Sequence, residues 1–297
     1  MSIEINKAFV QQFSDNLIHL AQQKGSRLMD TVMVQNVQGK QAHFDRLGAT
    51  AAVKRTNRHG DTPLIDTPHS RRRVKMDDYE WADLIDKQDK VRMLISPESD
   101  YVKAGSWALG RSMDDEIIRA LTGNSEAVDA DDAGSSVALP ASQIVDEDFG
   151  SADSNLTVAK LREAKRILDG NDIDPEEERF MIVNASALSS LLGETEVTSS
   201  DFNTVRALVQ GELDTFLGFK FIRTERLLGT ADGTDTDPVL CVGYTRSSTG
   251  LALGQDIQAR ISERDDKSYA TQVYASMSMG ATRIEEEKVV AVQCVQS

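Results

Sequence analysis

The four histidines, His19, His43, His59 and His69, are the side chains best suited to hold a metal or carry a proton near neutral pH. All four lie in the first quarter of the chain, in segments that read as a helix, a hairpin and a basic loop. Their spacing does not resemble a metal cluster. Asp129, Asp131, Asp132 and Gly134 resemble the start of a calcium loop, but the fifth position is Ala133 and the twelfth is Pro140, where a bidentate Glu is needed. The acidic run Asp114-Asp115-Glu116 could serve general acid–base chemistry, yet on an amphipathic helix such a run is far more often a solvated or interface face. A GxxxxGK(S/T) phosphate loop, a GxGxxG after a strand, a GxSxG elbow and an HExxH pair are all missing. The sequence thus assigns no catalytic, cofactor-binding or metal-ligating residue and points away from an enzyme.

What remains is charge. With 33 Lys and Arg against 48 Asp and Glu, the 297-residue chain is -15, which argues against a general binder of nucleic acid or of anionic membranes. One segment runs the other way: Arg46, Lys54, Arg55, Arg58, Arg71, Arg72, Arg73 and Lys75 face only Asp61 and Asp66, a local +6 against -21 elsewhere. It has too few apolar groups to build a core and no aromatic residue on which bases could stack. A partner with an acidic protein surface is the expectation, ahead of a solvated loop or a local nucleic-acid contact. Cys241 and Cys294 lie in apolar, strand-like runs that suit reduced, buried thiols in a cytosolic setting, with their pairing left open. No basic leader with an apolar core and no run of 18 apolar residues occurs, so neither a standard secretion signal nor a membrane span is expected.

The element that must position these groups is a long helix between Ser96 and Asn124. Ser96 suits the N-cap, Pro97 the first turn, and Gly123 a left-handed C-terminal cap. Val102, Trp107, Leu109, Met113, Ile117, Ile118 and Leu121 recur at helical spacing between them. Ahead of it, Ile5 to Lys24 reads as an amphipathic helix, Met29 to Phe44 as a hairpin turning at Gln38-Gly39-Lys40, and Gly48 to Lys75 as an extended loop. Val74 to Ile95 resumes order. After the long helix, Glu126 to Asp153 reads as a long connection, Asn155 to Leu168 as a second helix, Arg179 to Val183 as a buried strand and Ala185 to Leu192 as a short helix. Phe202 to Leu213 looks helical and Phe216 to Arg223 alternates as one strand. Val239 to Tyr244, Asp256 to Glu263, Ser268 to Met279 and Val289 to Val295 complete the strands, the last two separated by Gly280-Ala281-Thr282-Arg283.

This order of parts resembles the major capsid proteins of tailed bacteriophages with the Hong Kong 97-type fold. The resemblance rests on YVKAGSWALGRSMDDEIIRAL, on Gly218-Phe219, and on Asp265-Asp266-Lys267 followed by a long strand, Gly280-Ala281-x-Arg283 and a final apolar strand. It implies an α+β capsid fold with a long spine helix. Residues 1–46 would be an N-terminal arm and hairpin, 47–75 an extended loop, 76–182 with 256–283 a peripheral domain, and 183–255 with 284–297 an axial domain. The implied function is self-assembly into hexamers and pentamers of an icosahedral head around double-stranded DNA, without specific DNA binding, cofactors or membrane contact. The virion would assemble in a bacterial cytoplasm with a portal protein and a separate scaffolding protein, no self-scaffolding segment being expected, and it leaves room for a decoration protein. An encapsulin-like cargo shell and a soluble α+β enzyme of unknown chemistry are the alternatives.

Within such a shell the expected contacts between subunits are of two kinds. Phe9, Phe13 and Leu17 form an apolar stripe on the arm. Arg71, Arg72, Arg73 and Lys75 at the base of the basic loop would clamp onto Asp114, Asp115 and Glu116 or onto Glu176, Glu177 and Glu178 of a neighbour.

Overall fold

Within the described residues, alternating segments of the sequence become strands, and the 3.6-residue periods at Glu98–Thr122, Val158–Gly170 and Ala185–Gly193 become helices. The computed structural model describes residues 21–58, 61–62, 64–86, 98–129, 132–150, 153–193, 215–227 and 239–295. In chain order these hold β1 (Met33–Asn36), β2 (Gln41–Leu47), β3 (His69–Lys75), β4 (Asp77–Ile85), α1 (Glu98–Thr122), β5 (Ser125–Val128), β6 (Gly134–Val137), β7 (Ile144–Val145) and α2 (Val158–Gly170). Then come β8 (Arg179–Val183), α3 (Ala185–Gly193), β9 (Thr215–Phe216), β10 (Phe219–Arg223), β11 (Val239–Thr245), β12 (Thr249–Arg264), β13 (Ala270–Arg283) and β14 (Val289–Cys294). The helix expected over residues 202–213 lies outside the described residues, as do Ser96, Pro97 and residues 5–20 of the expected first helix, whose last four residues, 21–24, are not helical.

One compact unit comprises the described residues up to Ser26 together with Asp78–Met113 and Gln255–Ser278. It contains β4, α1 as far as Met113, and the distal parts of β12 and β13, in the order β12–β13–β4. Along β13, buried Val273, Ala275 and Met277 alternate with half-buried Gln272, Tyr274 and Ser276, the period of two that the sequence carries. The Trp81 ring lies against Gly105, and Lys24 Nζ stands 5.6 Å from the centroid of the Trp107 ring.

The second unit comprises Arg27–Asp77, Asp114–Gly254 and Met279–Ser297. Its mixed six-stranded sheet has the order β7–β14–β11–β8–β10–β9, and β8 and β11 are buried at every position. Leu161, Ala164 and Leu168 of α2 and Ala187 and Leu191 of α3 join Met181, Val183, Phe219, Val290 and Val292 in one core. Thr157 caps α2 by accepting from Lys160 N at 3.2 Å. Cys241 and Cys294 are buried free thiols of this core. The Phe216-to-Arg223 run, expected as one strand, is a tight hairpin: Leu217 and Gly218 take φ of 53° and 88°, the left-handed pair that joins antiparallel strands in two residues.

A four-stranded sheet, β2–β3–β5–β6, corrects two further expectations. Met29 to Phe44 is no hairpin, because β1 pairs in parallel with the start of β12 (Met33↔Gly250 to Asn36↔Leu253) while β2 pairs with β3. The reason is burial: β1 is exposed at all four positions, whereas Ala42 and Phe44 of β2 pack with Val74 and Ala252. The stretch read as a long connection supplies β5 and β6, with β5 laid against β3. Finally, β13 runs through Gly280 instead of ending before it. A Cβ at Gly280 would overlap the Lys75 carbonyl oxygen and lie 2.9 Å from Val74 Cγ2. Gly280→Ala should therefore lower stability by about 1–3 kcal/mol in urea unfolding. Gly170→Ala, whose Cβ meets nothing within 4 Å, should not lower it at all.

Candidate functional site

The basic segment is held by a ladder. β2 and β3 pair from Gln41↔Lys75 to Leu47↔His69, and Gly48 N donates to Pro68 O at 2.8 Å to close the neck. Beyond the neck, the described residues to Thr67 form no regular element, since their sequence has neither period nor apolar content. Val53, Lys54, Arg55 and Arg58 are exposed, and Leu64 is 99% exposed. Ile65 beside it is exposed as well, so two adjacent apolar side chains stand in water at the tip.

At the base of this excursion the arginines already have partners within the chain. Arg71 Nε meets Asp45 Oδ1 at 2.6 Å on the surface. Arg73 pairs with Glu126 on β5 and stands 3.4 Å from Asp132, and Lys75 adds a 3.3 Å contact to Glu126. Gly134 faces this cluster, and a Cβ there would lie 2.6 Å from an Arg73 amino nitrogen. The Arg73 hydrogen bond holds the Glu126 carboxyl at about 2, below its ordinary 4.5. A lowered folded-state pKa means that the pair stabilises fully above pH 4.5 and that this contribution fades as pH falls toward 2. The stability gap between wild type and Glu126→Gln should accordingly narrow steadily from pH 5 to pH 2 in denaturant titrations.

A second cluster is buried. Glu286 Oε1 accepts from Arg72 at 2.6 Å and from Ser125 Oγ at 3.4 Å, and its Oε2 accepts from Arg46 at 3.3 Å. Arg283 Nε lies 3.9 Å from the same carboxylate. The Arg283 side chain is wholly buried, and its amino nitrogens donate to Leu121 O at 3.0 Å, Gly123 O at 2.6 Å and Val137 O at 3.0 Å. Burial lowers the pKa of both Arg72 and Arg283, and Glu286 opposes that shift. This resolves the end of α1 differently from the expected left-handed cap. Gly123 is absent from the positive-φ residues, its N–H bonds Arg119 O at 2.7 Å, and the orphan carbonyls of the last turn go to Arg283. Glu286 and Arg283 thus join the excursion's base, the end of the long helix and the closing strands.

The other residues singled out by sequence fall in several places. Asp114 is fully buried and accepts from the backbone N–H groups of Arg27 and Leu28 at 3.0–3.2 Å, so it caps that segment and presents no carboxylate to a neighbour. Asp115 forms a two-pronged pair with Arg226, and Glu116 stands 3.6 Å from Arg119. Glu177 accepts from Ser247 N at 3.1 Å, while Glu176 and Glu178 are exposed beside Arg179. Phe9, Phe13, Leu17, His19 and His59 lie outside the described residues. Among the described residues, no three His, Cys, Asp or Glu side chains are grouped to hold a metal, and no helix is long and apolar enough to cross a membrane.

Comparison with known proteins adds to this geometry. A family model described as phage capsid protein matches residues 5–296. The fold matches the capsid structure of Cyanophage P-SCSP1u (16% identity, 99% of this chain and 95% of that one, TM-score 0.74). It also matches the head structure of Helicobacter pylori bacteriophage KHP40 (9% identity, 100% and 99%, TM-score 0.74) and a chain of Mycobacterium phage Che8 (18% identity, 95% and 96%, TM-score 0.67). No protein of curated function matches the sequence.

Proposed function

We propose how this molecule builds a head from one premise: the chain belongs to the phage capsid protein family and has the Hong Kong 97-type fold. It is a phage major capsid protein, a structural component of the virion and not an enzyme. The family match across nearly the whole chain is the observation that carries this.

The finer reading is that copies associate as hexamers and pentamers of an icosahedral head that encloses double-stranded DNA. Charge supports a passive interior, because a chain of -15 repels the phosphate backbone. A portal protein and a separate scaffolding protein are the further partners of this reading. Residues 76–182 with 256–283 serve as the peripheral domain, 183–255 with 284–297 as the axial domain, 47–75 as the extended loop and 1–46 as the arm. Of the charged set, Arg71, Lys75, Glu176 and Glu178 keep enough exposure to meet a neighbour, whereas Arg72 and Asp114 act inside their own chain. The apolar stripe Phe9, Phe13 and Leu17 remains assigned to the same role.

Electron microscopy of the expressed protein tests this reading. Closed shells of megadalton mass are expected, with DNA in particles from infected cells. A small oligomer would overturn the capsid reading, and shells carrying protein cargo without DNA would replace it by the encapsulin-like one.

A further inference from the structure

Past Leu253, the outer edge of β12 has no strand paired to it among the described residues. β1 pairs with β12 only as far as Asn36↔Leu253, and the strand then continues to Arg264 with β13 on its other side. From Gln255 to Arg264 every residue is exposed except Ile257, which is half-buried. β13, its neighbour, buries alternate side chains over the same region, so the exposure belongs to β12 and not to the sheet. Ile257 N donates to Asp256 Oδ1 at 2.7 Å, the local bond that an edge amide makes when no strand faces it. Ile261 is 46% exposed, and Arg260 makes no ion pair among the described residues.

A long strand with a bare edge is a template for another strand, and its sequence specifies which one. Antiparallel pairing with an identical strand about Gln258 places Asp256 opposite Arg260 twice, Ile257 opposite Ala259 twice and Gln255 opposite Ile261 twice. Both ion pairs and the small apolar pairs are satisfied at once. Moving the two-fold axis to Arg260 would set that arginine against itself and Ile257 against Glu263. If Ile257 N–H points outward, so do those of Ala259 and Ile261, which makes Ile257↔Ala259 a hydrogen-bonded pair and Asp256↔Arg260 a closer, non-hydrogen-bonded one.

We infer that the β12 edge from Gln255 to Arg264 pairs antiparallel with the same edge of a second copy about a two-fold axis at Gln258. The inference rests on the capsid reading and names one contact between subunits of the shell. An isologous strand pair of this kind joins two subunits from different rings and so ties neighbouring capsomers together.

Engineered cysteines test it, since both native thiols are buried. Gln258→Cys places two thiols at Cα separations of about 4.5 Å, within disulfide range, so mild oxidation of assembled particles should give covalent dimers. Ser262→Cys would face residue 254 and should give none. Asp256→Arg or Arg260→Asp alone should lower particle yield by setting like charges opposite each other, and the double exchange Asp256→Arg with Arg260→Asp should restore it. Particles that form normally yet show no Gln258→Cys dimer, or that crosslink equally through Ser262→Cys, overturn the inference and leave the capsid reading standing. Failure of the unmodified chain to form shells would instead strike the capsid reading itself.

Discussion

Arg283→Ala is expected to be the most damaging single substitution in the described residues, costing about 3–5 kcal/mol of subunit stability. The guanidinium is wholly buried and holds three carbonyls, Leu121 O, Gly123 O and Val137 O, from two different elements. Removing it leaves those acceptors dry and unpaired, at about 1–3 kcal/mol for each buried polar group that water cannot reach. It also opens a cavity the size of a long side chain and takes one of three cations from Glu286. Arg283→Lys should recover only part of the loss, because one ammonium cannot span three carbonyls in the guanidinium's fork. Urea unfolding of dissociated subunits reads the effect. A midpoint shift worth less than about 1 kcal/mol for Arg283→Ala would mean that water or a neighbouring donor replaces it.

How much of this was legible in the sequence depended on whether a residue's role is local. The long helix, α2, β8 and the closing strands carry local patterns of their own, so neighbours in sequence are enough to place them. β5 and β6 were not found, since Ser125–Val128 and Gly134–Val137 are four residues each and too short for a period to register. They form strands because β3 offers them an edge. The false hairpin at Met29 to Phe44 failed in the same way: the turn at Gly39 is present, but which strands it joins is settled by Phe44 and Val74 packing together. The acidic run Asp114-Asp115-Glu116 looked uniform as text. Folding divides it into a buried cap, a pair with Arg226 and a half-buried carboxylate beside Arg119, because successive helical residues point 100° apart. Glu286 could only have been suspected from Arg283 three residues before it. Nothing local announced that Arg72 would come between them.

The electrostatic clamp expected of Arg71, Arg72 and Arg73 is therefore weaker than the tip of the same excursion. Arg71 is half exposed and already paired with Asp45, so losing a second, external pair would cost each contact about 0–1 kcal/mol. Arg72→Ala would damage the subunit itself by removing a cation from Glu286, so Arg72 acts inside its own chain and not as a clamp on a neighbour. The tip differs on both counts. Leu64 and Ile65 are exposed, and Lys54, Arg55 and Arg58 have no carboxylate partner among the described residues. Covering a leucine that starts fully in water is worth about 1.5–3 kcal/mol, or roughly 10- to 100-fold in an association constant, and the contact repeats around a closed shell. Leu64→Ser with Ile65→Ser should leave subunit unfolding within about 0.5 kcal/mol of wild type while raising the protein concentration needed for particles at least tenfold. Adding Glu at positions 54, 55 and 58 should deepen the defect at low salt and less so at high salt, because the attraction lost is between exposed charges. Assembly of the Leu64, Ile65 variant at the wild-type threshold would show that the tip stays in solvent in the finished particle, leaving the arm and the strand edges to hold the shell.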